Sequence, residues 1–499
     1  MRSLADLAFT LALLVFGVFG VFGVVGVLVG CGSCDGDRRK QLHPVTLPTA
    51  LADGETTVVT TVGSGSEAMP STLGYLDAPP GTLEGLFEGL AAVDRGDPAG
   101  RVVLEFFGDS HTAGDSMTSR LRSSWQARFG DAGRGLVGAG KVPTKHYYQR
   151  DVHYGKQGDW HAMVGGARGD SEPFGIVGMR VTGKTKGAQL WVESCRECAA
   201  GKAVGQFEIL YYAAPDHGVL RYRVDERPWQ QLATKTTAIE PPHPARQVVI
   251  VEDGPHKLTL EHGGGGVLDV FGVVMERAHP GVIVDSLGVV GRRLGSLRSW
   301  DWSVIGEQLA TRDPKLVVLQ YGTNEADDPD LVLEDLARYY DETILRIRAA
   351  APTASILILG PPDMAVREGG KGCDRMKGPP DAPPIPECQW RTPAAIPEVI
   401  STEHAAATRN HVAFFDTFAA MGGADKMGTW AEADPKVAYK DRVHFTDLGY
   451  QRWADALGNA VLENYAHWRS QQQLPAVKAV APPPMVIPPG ALLPGPVAP

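Results

Sequence analysis

Hydrophobic positions change texture several times along this chain. Residues 7–30 are almost wholly apolar or Gly, from Leu7-Ala8-Phe9 to Val27-Leu28-Val29-Gly30. Residues 32–80 are polar, with Thr-Thr and Gly-Ser pairs, and read as a tether; 82–94 allow one short helix. The run Val102-Val103-Leu104-Glu105-Phe106-Phe107 has the continuous apolar character of a buried strand. It enters Gly108-Asp109-Ser110, and Met117, Leu121, Trp125 and Phe129 then recur at helical spacing. This predicts a strand, a tight turn and a helix that starts at Ser110 and already includes Ser116.

After about residue 150 short alternating runs replace this pattern: 206–211, 220–224 and 257–261, separated by turn signals such as Asp253-Gly254-Pro255. No helical periodicity stands out over 155–280, which reads as an antiparallel β-sandwich. The α/β rhythm returns at Val282-Ile283-Val284. Strands are predicted at 315–321, 355–359 and 411–415, a helix on Leu333, Leu336, Tyr340, Ile344 and Ile347, and a closing helix at 446–468. Strands alternating with helices imply a mostly parallel sheet covered on both faces, so the β-sandwich is an insertion within one α/β domain. The expected organisation is 1–30 signal or anchor, 31–98 tether, 99–153 first part of the α/β domain, 154–281 insertion, 282–470 second part, and 471–499 a disordered Pro-rich tail.

Of 499 residues, 43% are apolar and 21% charged, enough to bury a sizeable core. Lys and Arg number 48 against 58 Asp and Glu, a net charge of −10. With no basic stripe beyond Arg38-Arg39-Lys40, this argues against nucleic acid as a partner.

The apolar run after Arg2 reads as an export signal. Its end, Leu28-Val29-Gly30-Cys31, resembles the bacterial lipobox, which implies lipidation of Cys31; the alternative is an uncleaved membrane anchor. Either places the rest of the chain outside the cytoplasm on a membrane tether, in the periplasm or at the cell surface. Cys195 and Cys198 form a C-x-x-C, and Cys373 and Cys388 flank a Pro-rich loop. Neither pair has the further ligands a zinc site needs, so two local disulfides are expected and no metal. Cys34 is left over.

Candidate chemistry lies at four separated places. Ser110, at the end of a strand and the start of a helix, is placed as a nucleophile whose backbone N–H joins a helix N-terminus. Gly169-Asp170-Ser171 lacks a preceding apolar strand. In Asp441-Arg442-Val443-His444, the His can serve as base for a Ser hydroxyl, and an Asp three residues earlier can orient its ring. Tyr321-Gly322-Thr323-Asn324-Glu325 ends a strand, so the Asn324 amide would project at the carboxyl edge, where open parallel sheets bind ligands. Leu287-Gly288-Val289-Val290-Gly291-Arg292 follows strand 282–285 and offers a Gly N–H. Singly, the Asn and Gly segments are ordinary βα turns.

In the order Ser, Gly, Asn, Asp-x-x-His, the four resemble the GDSL, or SGNH, hydrolase family over about 99–153 and 282–469. The resemblance implies a three-layer α/β/α, flavodoxin-like fold with a five-stranded parallel sheet. It implies Ser110 as nucleophile, His444 as base and Asp441 as its orienter, with the Ser110 and Gly291 amides and Asn324 in the oxyanion hole. Gly291 is preferred to Gly288. The usual Leu after the Ser is His111. The stretches 108–115, 129–135 and 319–325, together with the β insertion, look like peptidoglycan O-acetylesterases, which carry a carbohydrate-binding-like module between the first two blocks. The function implied is an exported serine esterase that removes acetyl from the C6 oxygen of N-acetylmuramic acid without metal or organic cofactor. The alternatives are another SGNH esterase or lipase, an O-acetyltransferase, and a glycan-binding surface lipoprotein.

Trp160, Trp191, Tyr211, Tyr212, Tyr222 and Trp229 lie in the insertion; the expectation is that most are core and some stack on sugars. Residues 361–392 form a long Pro- and Gly-rich excursion after strand 355–359, expected near the carboxyl edge and braced by Cys373 and Cys388.

Overall fold

The computed structural model describes residues 73–140, 147–166, 173–367 and 389–474. The apolar N-terminal run, Cys31, Cys34, Ser171, Cys373, Cys388 and the Pro-rich tail lie outside the described residues. Among those described, no helix is long and apolar enough to cross a membrane.

Alternation within each strand builds the three layers. Leu104 and Phe106 of Arg101–Gly108 point into one core, with Met117, Leu121 and Trp125 of helix Ser116–Phe129 and Trp453 and Leu457 of helix Asp447–Gln471. Phe107 faces the other core, with Ile305 and Leu309 of Trp302–Arg312, Tyr340 and Ile344 of Leu333–Ala350, and Val399 of Ala395–Asn410. The strand is buried on both sides, which is why it reads as a continuous apolar run.

The sheet has six strands, in the order Leu76–Asp77, Ala413–Phe415, Ser355–Leu359, Leu316–Gln320, Arg101–Gly108, Gly281–Gly288. Five are mutually parallel, and Leu76–Asp77 adds an antiparallel edge. That edge strand and helix Glu84–Asp94, whose Leu86 and Leu90 are buried, belong to the domain. The expected tether over 31–98 is therefore corrected: 73–98 are built into the fold. Gly288 and Gln320 both register with Gly108, so three strands end side by side at the carboxyl edge.

The insertion is a sandwich of two antiparallel sheets. One orders Gln230–Ala233, Val219–Val224, Lys257–Gly264, Gln189–Ser194 and Val152–Gln157; the other orders His243–Gly254, Val204–Ala213, Leu268–Glu276, Met179–Gly183 and Trp160–Val164. Leu190, Leu258 and Leu260 from the first meet Phe207, Ile209 and Val270 from the second. The expected start at 154 is too late, because Gly133–Val137 already pairs with Leu268–Glu276. Entry and exit are adjacent: Val282 N–H donates to Gly130 O at 2.9 Å and Arg277 N–H to Ala132 O at 2.9 Å. The second sheet packs on the α/β domain, with Ile176 and Phe271 in the same core as Ile305.

Of the six aromatics singled out in the insertion, only Trp160 and Tyr211 are buried. Tyr212 and Tyr222 are partly buried and pack against the core, as expected for most of the six, while Trp191 and Trp229 are partly buried outside it. Trp191 carries the Lys257 ammonium at 4.4 Å, and Trp229 the guanidinium groups of Arg221 and Arg223. Cys195 and Cys198 are joined as a disulfide, which removes the sulfur beside His153 and Glu197 as a thiolate ligand.

Candidate active site

The turn after Arg101–Gly108 is shaped by absence of a side chain at Gly108. A Cβ there would lie 2.2 Å from Thr112 Oγ1, which itself donates to Gln320 Oε1 at 2.9 Å. Asp109 caps the helical turn Ser110–Ala113: its Oδ1 accepts the His111 N–H at 2.8 Å. Ser110 is the first residue of that turn, so its N–H has no intrahelical acceptor and points outward.

The single helix expected from Ser110 onward is broken. Asp115 takes a left-handed φ of 50°, and a new helix begins at Ser116. Burial opposes the Asp115 charge, but Arg122 at 3.0 Å and Arg134 at 2.8 Å hold its carboxyl below the usual range. It also accepts the Arg150 N–H at 2.7 Å, and Arg122 reaches Asp151 at 2.5 Å. The break thus ties the turn to the start of the insertion through buried ion pairs. Ser116 Oγ donates to Asp447 at 3.1 Å, away from the His444 ring.

His444 Nε2 lies 2.8 Å from Ser110 Oγ, and Nδ1 lies 2.8 Å from Asp441 Oδ2. With the ring neutral, the Ser110 hydroxyl donates to Nε2, and Nδ1–H donates to Asp441. Burial alone would raise the Asp441 pKa; the His444 ring and the Val443 and His444 N–H groups, each at 3.0 Å, bring it down to about 2. Three residues of separation suffice because the segment is a tight turn: Arg442 has φ 55° and donates its N–H to Tyr439 O. Phe445, buried against Trp453 and Tyr450, anchors the turn on its other side.

His111, the residue after Ser110, is fully buried, its ring 5.3 Å from that of His444. Burial and the neighbouring His444 push its pKa well below normal, so it stays neutral and places no charge behind the base. Its Nδ1 meets Tyr450 OH at 3.0 Å.

The other two segments close on the same turn. Val289 N–H donates to Gly108 O at 2.9 Å, and Val290 N–H to Tyr147 OH at 2.9 Å. Gly288 and Gly291 have different reasons to be Gly. A Cβ on Gly288 would sit 2.2 Å from Ala113 N, so its absence lets the Ser110 turn pack on the neighbouring strand. Gly291 has φ 69° and open space around it, which leaves its N–H on the cleft wall.

Asn324 lies on the short helix Thr323–Ala326, entered through Gly322 at φ 108°. Its Nδ2 donates to Arg292 O at 3.0 Å and lies 3.4 Å from Asp109 Oδ2. Arg293 Nε donates to Asn324 O at 3.0 Å, and Glu325 accepts from Gly322 N–H and Leu294 N–H. The Asn324 amide is thereby wedged between the Gly291 loop and the residue before Ser110. Arg292 Nε also donates to Gly165 O at 2.9 Å, so the insertion braces this loop.

Ser110, Asp441, His444, Gly291 and Asn324 therefore all come to one edge of the sheet. The base of the 361–392 excursion joins them: Val366–Arg367 pairs with Trp390–Arg391, and Met364, Trp390, Asn324 and Asp441 line one cleft. Sequence reasoning missed Asp109 as more than a turn residue. It is completely buried, and burial, only partly offset by the His111 N–H, raises its pKa to about 7. It also missed Tyr147, Glu325 and Tyr450. Asp109 and Glu325 stand inside the motifs that were read, but burial of their carboxyls has no local signature.

Residues 256–452 match the family described as GDSL-like Lipase/Acylhydrolase. No curated protein matches the chain. Among solved structures, a peptidoglycan O-acetylesterase is 23% identical, covers 79% of this chain and 99% of its own, and superposes with a TM-score of 0.63. An acetyl xylan esterase is 16% identical over 36% of this chain and 80% of its own, with a TM-score of 0.25. A family two carbohydrate esterase from Clostridium thermocellum is 11% identical over 62% of this chain and 100% of its own, also at 0.25. The chain folds as the first of these does, and it carries a GDSL-like lipase/acylhydrolase domain with an additional β module.

Proposed function

We propose that the chain is an exported, membrane-tethered serine esterase that removes O-acetyl groups from cell-wall glycan, with the C6 acetate of peptidoglycan N-acetylmuramic acid as substrate. The observation that carries the reading is the line Asp441–His444–Ser110, with 2.8 Å at each junction. His444 Nε2 takes the proton of Ser110 Oγ as the oxygen attacks the acetyl carbonyl carbon. The oxyanion accepts hydrogen bonds from the Ser110 and Gly291 N–H groups and the Asn324 amide. On collapse the sugar oxygen leaves with the proton from His444. Water then gives a proton to His444 and attacks acetyl-Ser110, and acetate departs as the Ser110 hydroxyl is re-formed. Asp441 stays ionised and holds the ring orientation throughout.

Release of acetate from O-acetylated peptidoglycan by the purified enzyme tests the substrate. Wild type should release it, and Ser110→Ala should not while retaining its melting temperature. A serine-directed phosphonate should label Ser110 and leave Ser116 and Ser171 unlabelled. Acetate recovered on a second glycan rather than in solution would instead make the enzyme a transferase. For the tether, mass spectrometry of the mature N-terminus should find a lipid-modified Cys31 as the first residue; a chain that retains residues 1–30 without lipid would support an uncleaved anchor.

A further inference from the structure

Two clefts open beside the site, and Asn324 and Asp327 line both. One, of about 500 Å³, runs from Gly291 and Arg292 past Asp330 to Tyr339. The other, of about 320 Å³, runs from Asp441 past Met364 to Trp390. Gly291 supplies one wall of the first, and Asp441, behind His444, one wall of the second. The Gly291 and Asn324 segments and Asp441 of the triad are thus met by two open clefts that share Asn324 and Asp327.

Each cleft is lined by an aromatic ring that is held in place. The Tyr339 ring has the Arg298 guanidinium at 4.6 Å and that of Arg338 at 5.0 Å. The Trp390 ring has Arg442 at 4.2 Å and Arg367 at 4.9 Å. A ring fixed in this way presents apolar area without losing much freedom on binding. The first cleft is mainly polar, with carboxylates such as Asp327 and Asp330 suited to accept from sugar hydroxyls, and the second sets Met364, Val366 and Val443 beside Asp327 and Asp441. Hydroxyl acceptors, apolar surface and an aromatic ring in each of two open clefts fit a chain of sugars better than a compact ester.

We infer that the clefts seat sugars on both sides of the acetylated residue, so that the enzyme acts at internal positions of a glycan chain, with Tyr339 and Trp390, one in each cleft, as specificity-determining side chains. This rests on the serine-esterase reading above. Binding energy from remote sugars is then available to hold the acetyl group against Ser110.

The test compares p-nitrophenyl acetate with O-acetylated glycan oligomers from disaccharide to hexasaccharide. For wild type, kcat/KM should rise about tenfold or more with length. Trp390→Ala and Tyr339→Ala should each lower the ratio of hexasaccharide to acetyl-ester kcat/KM about tenfold, with Trp390→Phe restoring most of it. A wild-type enzyme active on p-nitrophenyl acetate but indifferent to oligomer length would overturn the two-sided groove and leave the esterase reading standing. Absence of hydrolysis of every acetyl ester would overturn the esterase reading itself. Should either alanine variant fail to fold, the wild-type length series still decides.

Discussion

Asp109 Oδ2 and Asn324 Nδ2 lie 3.4 Å apart, although 215 positions separate the two residues in the chain. The contact puts a fully buried carboxyl directly behind the Asn324 amide. Burial raises the Asp109 pKa to about 7 from an ordinary value of 3.8. The folded state therefore retains a proton that the unfolded chain gives up as pH rises from about 4 to 7. Stability tied to this group is complete below the unfolded pKa and is lost as pH climbs through 7. Its full span is on the order of 4 kcal/mol. Asp109→Asn keeps an acceptor for the His111 N–H but cannot ionise. Measured as the difference in unfolding free energy between variant and wild type, the variant should gain between pH 5 and pH 8. A difference that stays flat over that range would refute the buried ionisation.

Asp441 gives the opposite sign. Its pKa is depressed to about 2, so its contribution is present above the ordinary carboxylate range and is lost as pH falls through about 2. Above about pH 4 it remains a carboxylate, and no limb of the rate profile there belongs to it. Asp441→Asn leaves an oxygen to accept the Val443 and His444 N–H groups, so the turn should fold. The amide would favour the wrong His444 tautomer, and kcat should drop by up to about 10⁴-fold. Stopped-assay kcat together with a circular dichroism melt separates this from misfolding.

Gly288 and Gly291 should respond differently to one added methyl. Gly288→Ala drives a Cβ to 2.2 Å from Ala113 N, a backbone atom that cannot move without shifting the Ser110 turn. It should cost about 1–3 kcal/mol of stability and most of the activity. Gly291→Ala meets no atom within 4 Å and suffers only its positive φ, about 1–2 kcal/mol, while its N–H stays in place. Thermal denaturation and kcat on an acetyl ester would show whether activity follows the first substitution more than the second.

The elements that proved legible are those whose pattern is local. The doubly buried strand before Ser110 is a continuous apolar run, and the sandwich strands alternate, so periodicity distinguishes them. The Ser110, Gly291 and Asn324 segments follow parallel strands that deliver their ends to one edge, as Gly108, Gly288 and Gln320 do in register, whereas Asp441 and His444 follow no such strand and are grouped with them only through the family resemblance. What stayed hidden depends on distant partners. Leu76–Asp77 is a strand only because Phe414 and Phe415 lie beside it, and Gly133–Val137 joins the insertion only through Leu268–Glu276. The helix break at Asp115 is held by Arg122, Arg134 and the Arg150 N–H, of which a helical wheel gives no hint.

That last cluster can be tested apart from the chemistry. Arg122 is fully buried, donates to Asp115 and Asp151, and also donates from Nε and Nη2 to Val284 O of the strand leading to Gly288. Removing it leaves two carboxylates with less charge compensation and a strand carbonyl without its donor. Arg122→Ala should therefore lose about 3–5 kcal/mol, measured by denaturant unfolding. Arg122→Lys restores charge but cannot make the same fork of bonds, so it should recover only part. Because Asp115 follows the Ser110 turn by one residue beyond Gly114, the folded fraction of Arg122→Lys should also show reduced kcat. A variant with wild-type stability would show that the buried pairs do not hold the break in place.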